Sequence, residues 1–169
     1  MKLALAALLF STLATGAMAQ TTFGFSGLTW GDSIDTVDTK LKAAGFSGCA
    51  MLAKLKCKTF ALCYCNFSGS VVQNATASFD EKKLDQVSVN VYDRAATEEV
   101  LKQKYGPPLP RRDVSHLGLL GQGEEILTSR WKATTGETLE INYYGTVIYT
   151  SGTYNKKVEE RNRANASKF

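Results

Sequence analysis

Most of the chemistry open to this chain sits in one short stretch. Cys49, Cys57, Cys63 and Cys65 are its four cysteines, set in CAMLAKLKCKTFALCYC. Thiols so placed have three uses. In an oxidising compartment they close as two disulfides. As thiolates, with Met51 nearby, they are soft ligands for copper(I) or zinc. As a dithiol couple they exchange electrons. The spacing discriminates among these. Intervals of 7, 5 and 1 residues reproduce no paired C-x-x-C zinc unit. No C-x-x-C opens a helix, where a thiol pKa would be lowered.

Disulfides are therefore the expectation, with no cofactor required and thiolate metal binding or redox exchange as the alternative. Four cysteines allow three pairings. Cys63 and Cys65 lie at i and i+2, on the same face of a strand, which disfavours a bond between them. With a turn near Cys57, Cys49 falls opposite Cys65 and Cys57 is left for Cys63. A small change of register would reverse that nested arrangement.

Other reactive groups are sparse. His116 is the single histidine, in a loop beside Arg111, Arg112 and Asp113. It could act as a base or belong to an anion-binding loop, but a solvated loop histidine is the simpler reading. No serine stands in a G-x-S-x-G elbow, and Gly121-Gln122-Gly123 follows no strand. Glu98-Glu99 and Glu124-Glu125 read as solvated charges. The usual catalytic constellations are missing, so a non-enzymatic protein is expected.

The elements that must position these groups alternate between two periods. Residues 22–30 read as a first, glycine-weakened strand. A helix follows, with Asp32 as candidate N-cap, Ile34, Val37, Leu41 and Ala44 as its apolar stripe, and Gly45 as its left-handed stop. The cysteine stretch suits two short strands with a turn at 56–58. Residues 71–79 and 84–92 form a hairpin across Asp80-Glu81-Lys82-Lys83. A second helix covers 95–105 and is stopped by Gly106-Pro107-Pro108. Residues 109–124 are a long connection, and such loops are commonly functional. Short strands at 126–132, 137–144 and 146–150 complete the body. Leu139, Ile141 and Tyr143 share one face, with Tyr144 on the other, wet face.

The first residues, MKLALAALLFSTLATGAMAQ, have a basic start, a short apolar run and an Ala17-Met18-Ala19 cleavage pattern. Residues 1–19 are thus expected to be a signal peptide of bacterial style, leaving a single domain over 20–155 and a polar basic tail over 156–169. No transmembrane segment is expected once the signal is cleaved. The residues from Gln20 to Asn155 carry 14 basic and 14 acidic side chains. The excess positive charge therefore belongs to the tail, which argues against nucleic acid as a partner.

The helix closed by Tyr105-Gly106-Pro107, the loop, Trp131 in a strand, Gly136 in a turn and the Leu139-x-Ile141-x-Tyr143 alternation together resemble a small envelope module. That module occurs in the outer-membrane assembly lipoprotein BamE and in beta-lactamase inhibitor protein. Trp30-Gly31-Asp32-Ser33 opening a helix is similar to many periplasmic proteins. The chain departs from BamE in having no cysteine at the cleavage point. The resemblance implies an α+β module used for protein binding and carries over no individual residue.

The fold expected is α+β: an antiparallel sheet of about seven strands with two helices on one face, two loosely similar halves and a disulfide staple. The function expected is that of a periplasmic or secreted binding module, an envelope accessory or inhibitor-like protein. Arg111, Arg112, His116, Tyr144 and Tyr154 are the candidate contacts for another envelope or secreted protein.

Overall fold

The computed structural model describes residues 23–70, 72–113 and 126–167. It is an α+β fold with two disulfides and an antiparallel sheet. Among the described residues there are four helices: α1 (Ile34–Ala43), α2 (Met51–Thr59), α3 (Arg94–Tyr105) and α4 (Gly152–Ala166). The strands are β1 (Leu62–Gly69), β2 (Val72–Asp80), β3 (Lys83–Asn90), β4 (Leu109–Asp113), β5 (Ile126–Lys132), β6 (Thr138–Ile141) and β7 (Thr146–Thr150). They pair in the order β1-β2-β3-β7-β6-β5-β4. The two consecutive runs of strands meet where β3 pairs with β7.

One row of partners shows how the faces divide. Cys65, Ala77, Val87, Tyr149, Leu139 and Trp131 lie side by side across six strands, and all six are buried. The adjacent row, from Tyr64 through Ser78, Gln86, Thr150 and Thr138 to Lys132, is mostly polar and lies on the opposite face. A period of two is thus kept across these six strands, with register shifts between Phe67 and Gly69 and between Ser78 and Phe79.

The first helix is positioned by its ends. Ser33, rather than Asp32, caps it, accepting from the Thr36 N–H at 3.3 Å. Asp32 is occupied otherwise, accepting from the Thr29 N–H at 2.9 Å and from Lys40 Nζ at 2.7 Å. At the other end Gly45 takes φ +84°. The Phe46 N–H then reaches the Leu41 carbonyl at 2.9 Å and the Gly45 N–H reaches that of Lys42 at 3.1 Å, the Schellman closure that a left-handed residue permits. Ile34, Val37 and Leu41 are buried, while Ala44 is exposed.

Besides the N-cap, and the connection expected over 109–124, whose first residues form β4 (Leu109–Asp113), three further expectations need correction. Residues 23–30 make no strand; they fold as turns, with Phe23 buried edge-on to Tyr105. The first of the two strands expected in the cysteine stretch, and the turn expected at 56–58, are instead one helix, α2. Met51-Leu52-Ala53-Lys54-Leu55-Lys56 is a run of good helix formers with no β-branched residue, and that propensity outweighs its apolar content. Finally, β6 stops at Ile141. Asn142 then closes a turn to Thr146, so Tyr143 leaves the core face and is exposed beside Tyr144, their rings edge to face at 5.6 Å.

Residues 156–166 of the expected polar tail belong to α4. Its N-terminus is fixed by Ser151, whose hydroxyl accepts from the Tyr154 N–H at 3.1 Å. Lys157 reaches Asp80 at 2.6 Å. The helix crosses the polar face of the sheet without burying a residue of its own. The expected helix pair on one face is therefore incomplete: α2 stands at the β1 edge and α4 lies on the opposite face.

Candidate functional site

The cysteines build a corner of the molecule. Cys49 pairs with Cys65 and Cys57 with Cys63, with Cα separations of 5.3 and 5.1 Å. This is the nested connectivity, but it staples a helix to a strand instead of closing a hairpin. All four sulfurs are paired. In this oxidised state none of the four is a free thiolate. Among the described residues, no group of three His, Cys, Asp or Glu converges on one point. By the chain-entropy account the loops of 16 and 6 residues stabilise by about 3 and about 2 kcal/mol.

Asp38 of α1 braces the same corner. One carboxylate oxygen accepts from the Cys49 N–H at 2.8 Å. The other accepts from Lys54 Nζ at 2.8 Å and Lys42 Nζ at 3.0 Å. Burial alone would raise the pKa of Asp38. The bonds from Lys54, from the Cys49 backbone and from Lys42 outweigh burial and hold it at about 2. Gly48 makes this approach possible: with φ +73°, a Cβ there would stand 2.5 Å from the Asp38 oxygen.

What the brace presents is apolar. Met51, Leu52 and Leu55 of α2, Phe60, and Leu62 and Tyr64 of β1 are each between 56% and 73% exposed. The alternation along β1 explains half of this. Cys63, Cys65 and Phe67 fill the core face, so Leu62, Tyr64 and Asn66 must face outward. On α2, Cys57 is the buried residue and the leucines fall away from it. A groove of about 370 Å³ lies between the two elements, lined by Leu52, Ala53 and Lys56 on one side and Phe60, Leu62 and Tyr64 on the other. Lys54 and Lys58 are engaged by Asp35 and Asp38. No carboxylate of the described residues pairs with Lys56.

β1 is also an outer strand of the sheet. Its Ser68 turns away from β2 to bond Ser47, through Ser47 N–H to Ser68 O at 2.9 Å and Ser68 N–H to Ser47 Oγ at 3.0 Å. By strand alternation the backbone groups of Leu62, Tyr64 and Asn66 point the same way. No backbone partner meets them among the described residues.

The contacts expected from the sequence are dispersed. Arg111 and Arg112 lie in β4, at the sheet edge opposite β1. His116 lies outside the described residues. Tyr144 occupies the turn between β6 and β7. Tyr154 is half-buried on α4 and lines two clefts. One of them, of about 300 Å³, also touches Leu62 and Tyr64. Of the four that are described, Tyr154 alone approaches the stapled corner. Leu52, Leu55, Phe60, Leu62 and Tyr64 were not singled out. The signal that could have found them was the helix-former run, which turns the apolar residues onto an exposed helical face.

No protein-family model, curated protein or solved structure matches this chain.

Proposed function

We propose that this protein is a non-enzymatic binding module of the bacterial periplasm or secreted space, and that its stapled α2–β1 corner is the surface that meets another protein. The observation that carries this reading is the cluster of six large apolar side chains left in water on a rigidly braced unit. Burying a side chain of this size stabilises by about 1.5–3 kcal/mol, so a partner that covers several of them gains substantially. Contiguous exposed apolar surface commonly marks an interaction site. The two bridges and Asp38 fix the corner before any encounter, which lowers the entropy lost on binding.

Extracytoplasmic residence agrees with two disulfides and with the observation that no described helix is long and apolar enough to cross a membrane.

A photo-crosslinking residue at Leu55 tests the proposal in the native cell, with one at Ser88 on the polar sheet face as control. A discrete protein adduct at Leu55, lost in a Tyr64→Ala background and absent at Ser88, is the expected outcome. No adduct at Leu55, Leu52 or Phe60 would overturn it.

A further inference from the structure

Taking that corner as a protein-binding surface, we infer that the partner enters as an extended strand. It pairs with the free edge of β1, lays apolar side chains into the α2 groove and sets a carboxylate against Lys56.

The two edges of the sheet are not equivalent. β4 carries Pro110, Arg111 and Arg112, residue types that discourage pairing at an edge. β1 carries no charge and no proline in LCYCNFSG. Its C-terminal end shows that the edge accepts a partner, because Ser47 already bonds Ser68 there on both sides. Beyond Ser68, the outward donors and acceptors of Asn66, Tyr64 and Leu62 continue in the same direction without a backbone partner among the described residues. An added strand satisfies them with main-chain hydrogen bonds, while its alternate side chains supply specificity.

The groove lies alongside that stretch. Leu52, Phe60, Leu62 and Tyr64 offer contact to apolar side chains, and Lys56 is the cation at its wall. Charge decides between a different protein and a second copy of this chain. Self-pairing of β1 would bring a second Lys56 to the same joined edge, a like-charge cost. A segment bearing Asp, Glu or a terminal carboxylate pairs with it instead.

The probe is a library of random linear peptides displayed on phage and panned against the oxidised, secreted protein. The expected selection is for alternating apolar residues with one carboxylate at a fixed offset. N-methylation of the selected peptide should weaken binding about tenfold or more at every second residue and little in between, as the loss of single main-chain bonds demands. Panning a Lys56→Glu variant should replace the carboxylate by Lys or Arg.

Peptides that bind and are lost with Leu52→Glu, but show no period-two response to N-methylation, would overturn strand addition while leaving the corner as a binding surface. A dimer in sedimentation that Tyr64→Pro dissociates would assign the edge to a second copy and overturn it. Failure to enrich any sequence would overturn it as well. If the photo-crosslinks were also absent, the binding function itself would fall.

Discussion

The Cys49 N–H donates to the Asp38 carboxylate at 2.8 Å, so the half-cystine that ties the entry of α2 to β1 is held by α1 as well. The bridge and the carboxylate act on one point from two directions, and the apolar corner inherits its rigidity from both.

Asp38→Ala should therefore destabilise the protein by about 2–3 kcal/mol, because charge-assisted bonds are lost and a buried N–H is left without a partner. The pH dependence follows from the depressed pKa. Its folded value of about 2 lies below the ordinary carboxylate value of 3.8. Its contribution is thus complete above 3.8 and lost as pH falls through about 2. Urea unfolding of wild type and variant should show a gap that closes across that window.

Asp85 has the opposite sign. Burial pushes its pKa up, although the Ser151 hydroxyl, bonded at 2.9 Å, pulls it down. With the folded value above the unfolded one, the ionised carboxylate is a liability at neutral pH. Stability gained from this group appears as pH falls through the raised value and is complete below 3.8. Asp85→Asn should leave stability at neutral pH unchanged or raise it by up to about 1 kcal/mol, and should abolish that acid-side gain. Parallel melts at neutral and mildly acid pH would show whether it does.

The β2–β3 hairpin turns on Glu81 and Lys82, with φ of +50° and +66°. Both sit in the left-handed region, which side chains disfavour and which two-residue turns of this hand require. Lys82→Gly should raise stability by about 0.5–1 kcal/mol with no change in denaturant slope, as read by chemical unfolding. A loss of stability would show that contacts of the lysine outweigh its backbone cost.

Cys57→Ser with Cys63→Ser removes the inner bridge and should cost about 2 kcal/mol. The more specific expectation is local. α2 has no side-chain N-cap, and Cys57 is its one buried residue. Its amides should lose hydrogen-exchange protection well before those of β2 and β3. Equal loss throughout would show that the helix does not open independently.

Much of the fold was legible in the sequence, and the exceptions have physical causes. The Ile34, Val37, Leu41 stripe and its Gly45 stop identified α1, because period and terminator agree there. Val87 and Val89 identified β3 in the same way. α2 was obscured because alternating apolar residues in a short run satisfy either period, and its cysteines suggested a hairpin whose pairing a helix serves equally well. Tyr143 was placed on the core face by extending the alternation of Leu139 and Ile141 past the point where Asn142 turns the chain. The exposed apolar corner could not be read, since exposure of Leu52 and Leu62 depends on which neighbours cover them. Tertiary placement of α1 and β2 decides that, not local sequence.

The bridges also bear on how the chain must be made. Cys49 and Cys57 precede Cys63 and Cys65 in order of synthesis. Bonds formed as the thiols appear would join Cys49 to Cys57 and Cys63 to Cys65, and neither is native. The observed pairs form only if Cys49 and Cys57 wait for Cys63 and Cys65, or after exchange through mixed disulfides, which takes seconds to hours without help. The corner that is most rigid in the finished molecule is thus the part whose biogenesis leans most on thiol-exchange catalysts. In a cell lacking a disulfide isomerase, mature yield rather than activity would be the first thing to fall.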